Sequence, residues 1–414
     1  MNAQVEQRAG LLAFASIIIA VSIGTIAKNA SPLIATGYAL TLLVLAVVLY
    51  FHIVAWVEKH PKSIDIIAFL AIVILVIAFF TAFDPTHSSS LGAGADRSDA
   101  LNVALDRLLQ GQYPYYGRTY MGNEITPLPG SLLLATPFFI LGDAAFQNVV
   151  WIPAFLVALN AGGRLRAAPT VVWITAVLGC AATVREHLVG DDLFVKGVYV
   201  LAAILLVLRV SARTTYWLPL VAASIALGVT LCSRPHFILM LLPICALLWK
   251  QTYSFRMTST VAVGSTATIF VLAAPFAIVD WAGFSPLHVA SKVTSSTRIS
   301  PALVFLALIA LVTTIGLLWW FRPGVTATMW LLAGIAAVPG ALAFIQTLRV
   351  TGPDLWQLGL ASPAVVFAAA AIAWKSPPSK DLRDDQRLLD QPTAPPGINP
   401  KSEQNDRTPG RRQI

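Results

Sequence analysis

Charge is what this sequence has least of. Asp, Glu, Lys and Arg make up 12% of its 414 residues, against roughly 25% in a water-soluble domain. That scarcity excludes a soluble enzyme, a disordered scaffold and a nucleic-acid module. Cysteine is nearly absent as well. Its three copies, Cys180, Cys232 and Cys245, sit inside apolar runs and never in C-x-x-C spacing. An odd count so placed argues against a disulfide framework and a cysteine metal site, and leaves small packing residues. Charge is also missing from the middles of the apolar runs, where ion and proton pathways keep it. This weighs against an ion-coupled transporter. No solenoid-type or inverted repeat is apparent.

Apolar residues are abundant: 57% of the chain is hydrophobic and the mean hydropathy is +0.74. Apolar runs lie near 9–27, 33–56, 64–83, 144–162, 169–184, 193–209, 216–233, 236–249, 259–279, 301–320, 325–345 and 357–374. Most are long enough to cross a bilayer. A shorter run at 128–142 is interrupted by Pro137, and its spacing suits a re-entrant or interfacial segment. Lys28-Asn29-Ala30 makes a poor cleavage site, so the first run reads as a retained helix. The expected fold is an all-α, polytopic transmembrane helix bundle of about twelve spans over residues 1–376. The segment 377–414 is polar and rich in proline and reads as a disordered cytoplasmic tail.

The connections sort by charge. Lys59 with Lys62, Arg164 with Arg166, Arg209 with Arg213, and Lys250 with Arg256 share short basic loops. The loops between them are acidic or mixed, namely 84–124, 185–192 and 280–298. The positive-inside rule puts the basic pairs in the cytoplasm. The loop 84–127 is then outside. The net charge of +8 fits basic cytoplasmic loops beside anionic lipid.

In that outer loop Leu101, Ala104, Leu105, Leu108 and Leu109 recur at helical spacing, so 99–110 reads as an amphipathic helix. Ser98 is the expected N-cap, and Gly111 with Pro114 ends the helix. Its leucines face either lipid or the bundle. Asp96 and Asp99 stand at its N-terminal edge, where they serve either as catalytic acids or as residues that favour the helix dipole. Tyr113 and Tyr115 are either sugar-stacking platforms or interfacial anchors. Asp192 and Lys196 are four apart at a helix start, the spacing of a surface ion pair. Asp191 stays open as a second acid.

The stretch Asp96…Ala104…Leu108-Leu109-Gln110-Gly111-Gln112-Tyr113-Pro114-Tyr115, followed by Thr126-Pro127-Leu128-Pro129-Gly130, carries a resemblance. It resembles the integral-membrane glycosyltransferases of the GT-C superfamily, which take sugars from polyprenyl phosphates. Ser233-Arg234-Pro235-His236-Phe237 is similar to a turn in bacterial members. The motifs cover about 35 residues, and the many-span layout covers the chain. Members keep an acid about fifteen positions before the small residue that ends the outer helix. Asp96 stands fifteen before Gly111 and Asp99 is the second match. Many members follow the acid with a second carboxylate or an aromatic, where this chain has Arg97 and Ala100.

The resemblance implies an inverting hexosyltransferase, mannose being the favoured sugar, acting on a cell-envelope glycan or lipid acceptor outside a bacterial plasma membrane. It implies no nucleotide and no cofactor; a divalent metal is not indicated but stays open. A carboxylate partly withdrawn from water makes a better base for the acceptor hydroxyl. The departing lipid phosphate needs cations, and the arginine fork suits phosphate. Outer-side candidates are Arg185, Arg234, His236, Arg298 and Arg349, with His187 and Lys292 behind them. Arg185 and Arg349 read equally as snorkelling residues. Two other classes stay open: a transporter or flippase for a lipid-linked molecule, and a non-catalytic membrane partner of an envelope assembly complex.

Overall fold

The computed structural model describes residues 3–46, 50–84, 96–161, 163, 165–213, 216–288, 324–350, 352 and 354–374. Among them the regular structure is helical, with one isolated bridge between Arg118 and Glu124. The expected span at 301–320 and the expected disordered tail at 377–414 lie outside the described residues.

Four helices precede the outer loop: α1 (Ala3–Asn29), α2 (Pro32–Val44), α3 (Tyr50–Lys59) and α4 (Pro61–Ala82). Helix α5 (Arg97–Leu109) lies within it. Then follow α6 (Pro129–Ile140), α7 (Gln147–Leu159), α8 (Ala167–Val177), α9 (Ala181–Val189) and α10 (Leu193–Arg213). The described chain ends with α11 (Trp217–Leu231), α12 (Leu241–Thr252), α13 (Phe255–Val279), α14 (Val325–Val350) and α15 (Ser362–Ala373). Seven described helical segments are long and apolar enough to cross a membrane, or nine if each of two bent pairs counts as one. The chain is a helical membrane protein.

Helix α15 forms the middle of the bundle, with every residue from Ser362 to Ala373 buried. Its run of alanines lets backbones come close, which is how helices pack where lipid supplies no hydrophobic drive. It lies against α1, α8, α10 and α14. On the periphery Ile66, Phe69, Phe80, Phe270 and Ile278 are exposed, the surface expected where the surroundings are acyl chains.

Several boundaries differ from the expectation. Within the run 33–56 the described helices are α2 and α3, and residues 47–49 between them lie outside the described residues. The 128–142 segment is α6, and it meets α7 at 99°. Gly142, at φ +130, permits the turn, and Asp143 caps it by accepting from Ala145 N at 2.7 Å. The 169–184 run is also bent, by 69° between α8 and α9. The run at 236–249 begins as a 3-10 turn, Pro235–Met240, with Pro235 at its first position, where a missing amide costs no hydrogen bond. Helix α5 starts at Arg97, so Ser98 is not its cap but a buried residue of the first turn.

The leucine face of α5 points into the bundle. Leu101 and Leu105 are buried with Tyr115, Leu128, Leu132 and Phe284, while Leu109 is exposed. Each buried leucine is worth about 1.5–3 kcal/mol, which holds the outer loop down. Val57, Ile64 and Ala167 form a cluster joining two basic connections, and the loops 84–124 and 185–192 meet in the network described next.

Candidate functional site

The site begins where α9 stops. Gly190 takes φ +76, a left-handed conformation that costs glycine nothing. The chain then turns through Asp191 and Asp192 into α10. Glu186 on α9 reaches across, and its Oε2 accepts from Phe194 N at 2.9 Å. Three carboxylates therefore surround the α10 N-terminus, where the helix dipole favours negative charge. Asn148 braces the turn by donating to the Asp191 carbonyl at 3.0 Å and the Glu186 carbonyl at 3.3 Å.

Four cations meet these acids. Arg97 Nη1 lies 2.9 Å from Asp191 Oδ2 and 3.9 Å from Glu186 Oε1. Arg185 Nη1 is 3.5 Å from the same Asp191 oxygen. Arg234 Nη2 is 3.8 Å from Asp192 Oδ1, and its Nη1 donates to Thr126 Oγ1 at 3.1 Å. Lys196 pairs with Asp192, and both side chains are fully buried. The surface ion pair expected from their spacing is therefore an interior one; spacing fixes contact along a helix and says nothing about what covers it. Burial works against the Arg97 charge, but Asp191, Glu186, Asp192 and Asp96 outweigh it, and its pKa is raised. Arg234 is lowered, first by burial, with Asp192 opposing.

Asp96 and Asp99 organise the outer loop. Asp96 Oδ2 accepts from Thr119 Oγ1 and Asn123 Nδ2, each at 2.7 Å, and makes no side-chain cap bond to α5. Asp99 Oδ2 accepts from Tyr120 N at 2.7 Å. Between them they fix the turn Thr119–Asn123, which Gly122 closes at φ +79. The segment before α6 docks on the Arg234 turn through Leu128 N to Ser233 O at 3.2 Å and Gly130 N to Cys232 O at 2.8 Å. That docking brings Thr126 to Arg234.

A cavity of about 300 Å³ opens beside this network. Arg97, Arg185, Glu186 and Asp191 line it, with Asn123 from the outer loop. Trp356 and Gln357, from the 3-10 turn Leu355–Ala361, complete the wall. The Trp356 ring carries two cations, Lys28 Nζ at 4.4 Å and Arg185 Cζ at 4.5 Å from its centroid. Asp96 stands one hydrogen bond behind the lining, through Asn123.

The structure thus brings Asp96, Arg185 and Arg234 into one neighbourhood. It does not bring Tyr113 and Tyr115 to the cavity. Tyr115 is buried against Phe276 and Phe284, and burial raises its pKa well above the usual value. Tyr113 donates to the carbonyls of Phe276 and Asp280 at 2.9 and 3.2 Å, and burial, then Asp280, push it up to about 12. His236 packs its ring on Phe237 at 4.4 Å. His187 Nε2 donates to the Leu75 carbonyl, 2.8 Å away. Lys292, Arg298 and the side chain of Arg349 lie outside the described residues. Among the described residues no group of three or more His, Cys, Asp or Glu side chains is placed to hold a metal ion. The three cysteines are buried and unpaired.

Sequence reasoning missed the centre of the network. Arg97 entered only as a departure from a motif, and Glu186 only as part of the mixed loop 185–192, with no role assigned. Trp356 and Gln357 stand at the head of an apolar run. The available signal was four charged residues, Arg185, Glu186, Asp191 and Asp192, within eight positions of a chain that is otherwise poor in charge. No protein family, curated protein or solved structure matches this chain.

Proposed function

We propose that this protein is an inverting membrane glycosyltransferase of GT-C type. It moves a hexose, mannose being favoured, from a polyprenyl phosphate to a hydroxyl of an envelope glycan or lipid. The reaction takes place on the outer face of a bacterial plasma membrane. The observation that carries this reading is the meeting of the outer loop, the α9–α10 turn and the Arg234 turn in one charged network beside a polar cavity. Twelve crossings follow if each bent pair counts once and α2, α11 and the run 301–320 also cross. The segregation of basic from acidic connections supports this topology.

In the proposed reaction the acceptor oxygen attacks the anomeric carbon as the bond to the phosphate oxygen breaks. The phosphate leaves with the bonding electron pair. Asp96 takes the hydroxyl proton on Oδ1, while Thr119 and Asn123 hold Oδ2 and keep the carboxylate oriented. Arg234, held by Thr126 and Asp192, supplies positive charge to the leaving phosphate, where a fixed cation is worth most. Asp99 keeps the loop in place through Tyr120.

A second reading is favoured by a specific observation. Two bent helix pairs and a buried Asp192–Lys196 pair are features of carriers, which build sites from broken helices and intramembrane charge. Proteoliposomes separate the two readings. A transferase yields glycosylated acceptor from a polyprenyl-phosphate hexose presented on one side, and a carrier yields translocated lipid with its sugar still attached.

A further inference from the structure

We propose that the apolar cavity between α1, α2, α3 and α8 holds one acyl chain of an anionic phospholipid, whose phosphate lies among the basic residues at the nearby helix ends. This site is apart from the polar cavity and needs no step of the transferase reaction.

The cavity has a volume of about 240 Å³. Leu11, Phe14 and Ile18 of α1 and Val172 of α8 form its buried wall. Its rim, Leu45, Ala46, Ile53 and Ile174, is partly exposed. The lining is apolar apart from Tyr50 and Thr175, and Thr175 donates to the Val171 carbonyl at 2.9 Å. Water needs several polar partners to settle in such a space, so it stays dry. Left empty, it would deprive its wall of dispersion contacts. Helix α2 has most to gain from an occupant, because Ala35 and Leu42 are its only buried residues. On the same helices Leu12, Leu40 and Val44 are exposed, and the medium they meet in a membrane is hydrocarbon. An acyl chain is the filler that medium supplies.

Charge identifies the lipid. Helices α1 and α3 each carry a cation just beyond the cavity, and another immediately precedes α8. Arg8 stands three residues before Leu11, Lys59 six after Ile53, and Arg166 five before Val171. At about 1.5 Å per residue these offsets are about 4.5, 9 and 7.5 Å along the helices. They point to one end of the cavity. Val57, Ile64 and Ala167 draw the end of α3, the start of α4 and the start of α8 together, which also brings Lys62 near. Ser22 Oγ meets Cys180 Sγ at 3.3 Å beyond the other end of α8, so α1 runs parallel to α8 and Arg8 lies on the Arg166 side. Glu6, Glu58 and Asp65 are near the same end, yet none of the four cations forms an ion pair among the described residues. Arg166 is partly buried, and that burial lowers its pKa. A lipid phosphate on the arginine fork offsets the loss of solvent. A zwitterionic head group brings its own cation and gains less.

Native mass spectrometry of the full chain in detergent tests this, with phosphatidylglycerol and phosphatidylcholine of the same acyl chains as probes. The expected result is a single phosphatidylglycerol that stays bound when collisions strip the rest, and no phosphatidylcholine held so tightly. Arg166→Gln should weaken phosphatidylglycerol binding about fivefold, the effect of one basic residue beside anionic lipid, and leave phosphatidylcholine unchanged. Ala46→Phe fills the rim and should abolish retention of the tight lipid. If Ala46→Phe does not fold, Arg166→Gln and Lys59→Gln still decide, because both replace residues at helix ends. Equal retention of the two lipids would overturn the proposal. So would no retained lipid, or retention indifferent to the charge variants or to a folded Ala46→Phe.

Discussion

Replacing Lys196 tests whether the interior ion pair is as dry as the structure makes it. Lys196 and Asp192 are in contact and both side chains are fully buried. Lys196→Met keeps the length and removes the charge. Breaking a buried pair from one side costs about 3–5 kcal/mol, because the remaining charge is stranded. Asp192 would not be wholly stranded, since Arg234 Nη2 remains 3.8 Å from its Oδ1. The loss should therefore fall near the lower figure, about 3 kcal/mol. Asp192→Asn strands two cations, Lys196 and Arg234, and should reach the upper figure, about 5 kcal/mol. The double variant should cost less than the sum of the singles, and the shortfall is the coupling of the pair. Equilibrium unfolding in mixed micelles, followed by circular dichroism, reads these differences. If both singles cost less than about 1 kcal/mol, the value for a solvated pair, the burial argument fails and the spacing rule was right.

Three further outcomes are expected. With the native cysteines buried, Met121→Cys and Lys59→Cys should label from opposite sides of a sealed membrane; labelling from one side would refute the charge-based orientation. Arg234→Lys keeps the charge but loses the fork, so it should retain more donor use than Arg234→Ala; equal, mild effects would remove Arg234 from the phosphate role. Deleting 380–414 should leave extraction and monodispersity unchanged, because its composition builds no core; aggregation on deletion would show that it docks.

Much of the fold was legible because lipid-facing and buried helix faces are both apolar, and hydropathy registers both. The same fact hid the breaks. Only Gly142 and Asp143 hinted at the sharp turn into α7. The outer helix was readable from its leucine spacing, since one face of α5 packs on Tyr115 and Leu132 while the other meets solvent. The site was legible in part. Asp96 was found by the spacing that carries the resemblance, and Arg185 and Arg234 by their place in outer-side loops. The partners that orient them come from distant segments: Asn123 and Thr119 for Asp96, Trp356 for Arg185, and Thr126 for Arg234. Such pairings are set by how the loops fold over the bundle, which no local pattern encodes. Tyr113 and Tyr115 show the limit from the other side. Aromatics at an interface look alike in sequence whether they meet a ligand or, as here, anchor the loop to Phe276, Asp280 and Phe284.

The central claim is that the outer loop carries out glycosyl transfer with Asp96 as base. Asp96→Asn keeps an oxygen that accepts from Thr119 and Asn123, so the turn it holds should persist and extraction should be normal. Loss of a general base removes about two to four orders of magnitude in rate. The direct measurement is transfer of radiolabelled hexose from a polyprenyl phosphate to extracted envelope acceptor in proteoliposomes, wild type against Asp96→Asn. The account predicts turnover by the wild type, a loss of about a hundredfold or more in the variant, and undiminished donor binding. Near-full transfer by Asp96→Asn, with loss in Asp191→Asn instead, would contradict it.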